Sequence, residues 1–144
     1  MFTKVIKYNS KVGVDNAKLE IEIQNNASLY GFAPEIYETI FEPDSCTIVM
    51  EHMNEVCLQD KYGKNKEDIP EYIWEQIHDI ICTLYEDEGV EYIDIKADNF
   101  IEKEGDVYII DFGHAYYKRE DREIDWFLRD FLDGVNEWNP DFAQ

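Results

Sequence analysis

Two polar clusters at the ends of short apolar runs constrain this chain more than any other feature. In "YIDIKADNF", residues 92–100, Asp94, Lys96, Asp98 and Asn99 crowd together, and the apolar run inside "VYIIDFG" ends on Asp111-Phe112-Gly113. The segments on either side of Glu104-Gly105 read as two short strands joined by a tight turn. Such a hairpin returns the chain to its start, so Asp94, Asn99 and Asp111 are expected to meet at one end of it. Gly113 is free to take a backbone shape that swings the Asp111 carboxylate outward. Hard oxygen donors at such a point suit Mg²⁺, which keeps several waters and shares its shell with substrate phosphates. Phosphoryl transfer follows, because it needs a positioned acceptor hydroxyl, a held metal and neutralised charge, which a carboxylate, oxygen ligands and a lysine supply together. The competing reading is a solvated polar turn between a helix and a strand.

Composition narrows the partners. The chain has 144 residues, 44% of them apolar and 15% aromatic, which fits a single domain over 1–144 with one real core. Its 13 basic and 33 acidic residues leave a net charge of −20, which argues against nucleic acid as a ligand and for cations wherever carboxylates converge. Cys46, Cys57 and Cys82 are odd in number and lack paired ligand spacing, so neither a disulfide framework nor a zinc site is expected. No stretch approaches the roughly 20 apolar residues of a membrane span. With no long apolar run in "MFTKVIKYNS", no membrane association is expected, and the cytoplasm, of its own cell or of a host, is the expected location.

Periodicity supplies the framework. "FTKVIKY" alternates as a strand, Gly13 is read as a turn, and Leu19, Ile23 and Ala27 predict a helix over 16–29 that ends at Gly31. "PEIYETIFE" and "SCTIVMEHM" predict an antiparallel hairpin turning at Pro43-Asp44. "LQDKYGKNKED" reads as irregular. Ile73, Ile77, Ile80, Ile81 and Leu84 predict a strongly amphipathic helix from Pro70 to Glu86, and a last helix is expected from about Asp121 to Leu132.

On these residues a family resemblance is plain. "GVEYIDIKADNF" resembles the protein-kinase catalytic loop and "VYIIDFG" the metal-binding motif that follows it. The resemblance implies Asp94 as catalytic base, Lys96 as the γ-phosphate lysine of serine/threonine kinases, and Asn99 and Asp111 as Mg²⁺ ligands. "TIVMEHM" resembles the hinge between kinase lobes, with Met50 as gatekeeper and the backbone of Glu51 and Met53 facing adenine. "KVIK" resembles the strand bearing the phosphate-binding lysine, here Lys7, with Glu20 as its ion-pair partner on the following helix and Glu22 as the alternative. The implied architecture is α+β: a minimal kinase-like fold with a reduced β-rich N-lobe and hinge over 1–52 and a truncated helical C-lobe over 53–144. ATP and Mg²⁺ are the implied cofactors.

Departures from the family pattern shape the functional expectation. Only six residues precede Lys7, so the Gly-rich phosphate lid has no place; Tyr92-Ile93 stand where the family has His-Arg; and no A-P-E-like anchor follows Gly113. Similar economy is found in minimal effector kinases that bacteria deliver into hosts, in truncated viral kinases and in compact atypical kinases of the Rio type. In the last, an aspartate on the terminal helix braces the catalytic loop, which here implies Asp125. Tyr92, Tyr108, Tyr116 and Tyr117 are expected to pack below the site, and His52, His78 and His114 to be structural. The expected function is transfer of the ATP γ-phosphate to a hydroxyl acceptor, serine or threonine, with a protein partner or substrate. The alternative is a pseudokinase-like interaction protein that regulates or inhibits a partner through its acidic surface. A core this small also leads to the expectation of a homodimer or a covering partner chain.

Overall fold

The computed structural model describes residues 1–142. Its first half is a three-stranded antiparallel sheet in the order β1 (Phe2–Lys7), β3 (Ser45–Met50), β2 (Ile36–Glu42), with β3 central. Cys46, Ile48 and Met50 alternate along β3 and are buried. They pack with Ile6 and Tyr8 against Ala17 of α1 (Lys11–Leu29). The opposite sheet face is open: Val5 and Ile40 both lie beside Thr47 and are 54% and 42% exposed.

α1 begins earlier than the apolar spacing predicts, and Gly13 lies in its first turn rather than in a turn before it. The Ser10 hydroxyl accepts the Gly13 amide at 3.2 Å and caps the helix. A Cβ on Gly13 would come within 2.6 Å of the Tyr8 Cβ, so glycine here permits the close passage of the helix start over the end of β1. At the other end Tyr30 caps and Gly31 turns left-handed at φ +80, as expected.

"LQDKYGKNKED" is more ordered than its polarity implies. It carries α2 (Leu58–Tyr62) and a 3₁₀ turn at Lys66–Asp68. Leu58 is fully buried, and Tyr62, Tyr72 and Lys61 converge on the buried carboxylate of Glu102, with Lys61 at 2.9 Å. Those donors hold Glu102 below the usual glutamate range even though burial alone would raise it. Tertiary partners therefore order a segment that lacks an apolar stripe of its own.

α3 (Glu71–Glu88) buries Ile73, Ile77, Ile80, Ile81 and Leu84 and ends on Gly89 in the left-handed region, matching its amphipathic pattern. Beneath it run β4 (Val90–Glu91), the hairpin β5 (Phe100–Lys103) and β6 (Asp106–Ile109), and β7 (Tyr116–Tyr117), which pairs with β4. α4 is shorter than expected, Trp126–Leu132, because the Asp125 carboxylate accepts the amides of Phe127 and Leu128 and sets the helix start there. The larger core joins α3, the hairpin and α4 to Ile23 and Ala27 of α1, so α1 touches both cores. The result is an α+β architecture, a small sheet with one helix joined to a mainly helical second half.

Packing sets the first prediction. Ile77→Ala removes a fully buried side chain between α3 and the hairpin and should cost about 2–5 kcal/mol in urea unfolding. Ile40→Ala on the open sheet face should cost no more than about 0.5 kcal/mol.

Candidate active site

A two-residue period decides which lysine reaches the centre. Ile6 and Tyr8 of the β1 segment pack toward α1, and Lys4 shares their side of the strand. Its ammonium pairs with Glu20 and lies 3.4 Å from Asp111 Oδ1. Lys7 is odd-numbered and exposed, and points to the open face with Val5. The lysine that meets Glu20 is therefore Lys4 and not the expected Lys7. The alternation of Lys4 with Ile6 and Tyr8 carried that signal. Glu22, the other candidate partner, faces away and accepts the Tyr117 hydroxyl at 2.6 Å. Burial alone would lower Lys4, but the Glu20 hydrogen bond and the Asp111 charge outweigh it and hold the ammonium above the usual lysine range.

Asp111 is delivered from the far side. Its Oδ1 accepts the Gly113 amide at 2.8 Å and its side chain stays 43% exposed. Any Cβ on Gly113 would stand 3.1 Å from that oxygen and 3.5 Å from Glu20 Oε1, so a side chain there would press on the ion-pair cluster. Phe112 points the opposite way into the core, edge-on to Tyr92 at 5.7 Å. Tyr92 occupies the position of the family's histidine, and its hydroxyl donates to the Asp111 carbonyl at 2.7 Å. Ile110 donates to the Asn99 carbonyl at 2.9 Å. These two bonds stitch the two polar clusters together across the hairpin.

Asp94 lies 3% exposed, with Oδ1 lacking any hydrogen-bond partner among the described residues. Lys96 Nζ approaches that oxygen at 4.0 Å and Asp98 at 3.7 Å. Burial raises the Asp94 carboxyl above the ordinary aspartate range, with Asn99 and Lys96 pulling it back. Asn99 is itself buried, and its Nδ2 donates to the Asp94 carbonyl at 2.8 Å, which leaves the amide oxygen as its remaining polar atom.

The donor set fits a magnesium ion shared with a substrate. Asn99 offers a neutral oxygen and Asp111 a half-exposed carboxylate with Oδ2 beyond its contacts to Lys4 and Gly113. No group of three His, Cys, Asp or Glu side chains that could hold a metal alone occurs among the described residues. Two oxygen ligands suit a hard cation whose remaining shell is phosphate and water.

Beside this centre a pocket of about 170 Å³ is walled by Met50, Glu51, His52, Met53, Asn54 and Glu55, with Phe2, Pro34, Ile101 and Ile110 around them. Glu51 and Met53 both line this pocket, and the Glu51 amide is already used by the Glu35 carbonyl at 2.9 Å. Met50 is buried, and its Sδ receives Gln24 Nε2 at 3.5 Å. A larger cleft of about 800 Å³ lies far from this chemistry, between α3, the 66–69 segment and the chain beyond α4. Among the described residues the Asp125 side chain makes no hydrogen bond to the 92–99 loop; its Oδ1 caps α4. Two contacts to the loop come instead from Asn139, which the sequence reading missed because it stands in a short polar tail without periodicity.

Comparison with known proteins agrees with this geometry. A family model described as the protein kinase domain matches residues 1–132. No curated protein matches the chain. No helix among the described residues is long and apolar enough to cross a membrane.

Asp94 also sets a stability prediction. A carboxyl whose folded pKa is raised costs stability once ionised, a cost present above the folded pKa and lost as pH falls below the unfolded one. Asp94→Asn should therefore raise thermal stability at neutral pH by on the order of 1 kcal/mol, and calorimetric scans should show the gain fading toward pH ~4.

Proposed function

Because the chain belongs to the protein kinase family, we propose that it binds Mg-ATP and transfers the γ-phosphate to a hydroxyl acceptor, serine or threonine. The observation that carries this reading is Lys4, held between Glu20 on α1 and Asp111 beyond β6, whose carbonyl is tied by Tyr92 to the loop that carries the buried Asp94. A lysine gripped by a helix carboxylate beside an aspartate-phenylalanine-glycine turn is the arrangement that protein kinases use on ATP phosphates.

Adenine enters the pocket beside the 50–55 segment, where the Glu51 carbonyl and the Met53 amide offer an acceptor and a donor, and Ile101, Ile110 and Phe2 cover its faces. Lys4 meets the α- and β-phosphates, kept charged and pointed by Glu20. Asn99 and Asp111 hold Mg²⁺, which when bound neutralises charge on the phosphoryl group being transferred. Asp94 takes the acceptor proton as the acceptor oxygen bonds to the γ-phosphorus and the bond to the ADP oxygen breaks. Its raised carboxyl makes it the stronger base, while Lys96 at 4.0 Å holds it in line and balances the developing charge. Lys96 on this loop supports serine or threonine as acceptor. An acidic protein that acts only by occupying a partner remains the rival reading. An effect on a partner that survives the Asp94→Asn, Asp111→Asn double substitution would support it.

Titration calorimetry with ATP and Mg²⁺ and a turnover assay test the proposal. Asp111→Asn should weaken Mg-ATP binding by about tenfold or more, whereas Asp94→Asn should leave affinity nearly unchanged and lower turnover about 10²-fold or more. Lys4→Ala should weaken nucleotide binding and Lys7→Ala should not. The acid limb of the rate profile should fall above the ~3.9 of an ordinary aspartate, since Asp94 must be ionised to act. Failure of the wild type to take up nucleotide at millimolar concentration, or full turnover by Asp94→Asn, overturns the reading.

A further inference from the structure

Asp94 stands at the apex of a three-residue turn, since the Ile95 amide donates to the Ile93 carbonyl at 2.8 Å. A turn of one local hydrogen bond does not by itself hold a side chain to the tolerance that proton transfer needs. Asn139 supplies the rest. It lies outside the residues that the family model matches, yet only 2% of it is exposed. Its backbone amide donates to the Ile95 carbonyl and its Nδ2 to the Ile93 carbonyl, both at 2.8 Å, so the two bonds flank Asp94. Its Oδ1 accepts the Asp141 amide at 3.0 Å, which orients the side-chain amide. The tail is pinned on both sides of this contact: Trp138 packs on Trp74 at 4.3 Å and Phe142 on His114 at 5.0 Å.

We infer that Asn139 is a positioning residue that clamps the Asp94 turn from the tail beyond α4. Buried polar side chains are held by hydrogen bonds, and here both side-chain polar atoms of Asn139 have partners, one of them the backbone of the Asp94 turn. The inference rests on the phosphotransferase reading for its effect on rate, while the clamp itself can be measured without nucleotide.

The experiment compares wild type with Asn139→Ala and Asn139→Asp. Three readouts are taken: Mg-ATP affinity by calorimetry, turnover across about pH 5 to 8, and hydrogen exchange of the 92–99 peptide. Both variants should keep Mg-ATP affinity within about threefold, because Lys4, Asp111 and the 50–55 segment are untouched and Asn99 keeps its own bonds to the Asp94 carbonyl and the Ile110 amide. Turnover should drop about 10- to 100-fold, the scale of a small misplacement of a catalytic group, and the 92–99 amides should exchange faster. The aspartate variant has nearly the same shape but no donor toward the Ile93 carbonyl when ionised. Its protonated form regains one, so its turnover relative to wild type should climb as pH falls. Wild-type turnover and exchange in the aspartate variant at every pH would overturn the inference and leave Asn139 as packing. Should the alanine variant fail to fold, the aspartate variant decides alone. If wild type binds no Mg-ATP, the phosphotransferase reading fails, and unchanged exchange in the variants would separately sink the clamp.

Discussion

One ammonium organises the upper half of this protein. Lys4 joins β1 to Glu20 on α1 and to Asp111 at the end of the hairpin, three segments from widely separated parts of the chain. In a chain of net charge −20, two carboxylates brought this close repel unless a cation lies between them. Partial burial of the ammonium strengthens its attraction to both, because solvent screens it less than at the surface. The position of α1 over the sheet, and of the Asp111 turn against α1, therefore depends on Lys4 lying on the inward side of β1. A similar logic operates beneath it, where Glu102 gathers Lys61, Tyr62 and Tyr72 and so anchors α2 and α3 to β5.

The centre itself is not built for stability. Asp94 is buried with one oxygen lacking a hydrogen-bond partner among the described residues, a state that costs the fold free energy and raises its carboxyl above the ordinary aspartate range. Its surroundings compensate through the backbone. Tyr92 ties the loop to the Asp111 carbonyl, Asn99 ties it to itself, Ile110 ties the hairpin to Asn99, and Asn139 closes the turn from outside. None of these bonds engages the free oxygen of Asp94, so the group is held in place without being neutralised. Tyr92, where the family pattern has histidine, donates to the Asp111 carbonyl and packs its ring edge-on to Phe100 and Phe112.

Much of this was legible before any coordinates. α3 declared itself through five apolar residues on one stripe, and the two hairpins through their turn residues, because both patterns report burial along a single element. Asp94, Lys96, Asn99 and Asp111 were legible for a different reason: a short hairpin leaves its two ends nowhere to go but together. Glu20 and Glu22 are hard to tell apart in so acidic a chain, and the fold separates them: Glu20 pairs with Lys4 while Tyr117 donates to Glu22. The motif around Lys7 points to the wrong partner for Glu20, because the strand's alternation places Lys4 and not Lys7 on the side of Ile6.

What the sequence determined by itself, then, is what depends on neighbours in the chain: periodicity, turns, caps, and a motif whose partners are one hairpin apart. What only the tertiary structure decided is what depends on distant surfaces meeting. α2 forms in a polar segment because Leu58 and Tyr62 find partners on β5 and in the core. α1 starts at Lys11 because Gly13 can pass close over Tyr8. Asp125 caps a helix and Asn139 holds the loop, although both are short polar residues near the end of the chain. Their roles differ because a side chain's hydrogen-bonding partner is set by which carbonyls and amides are left unpaired beside it, and that is known only once the chain has closed on itself.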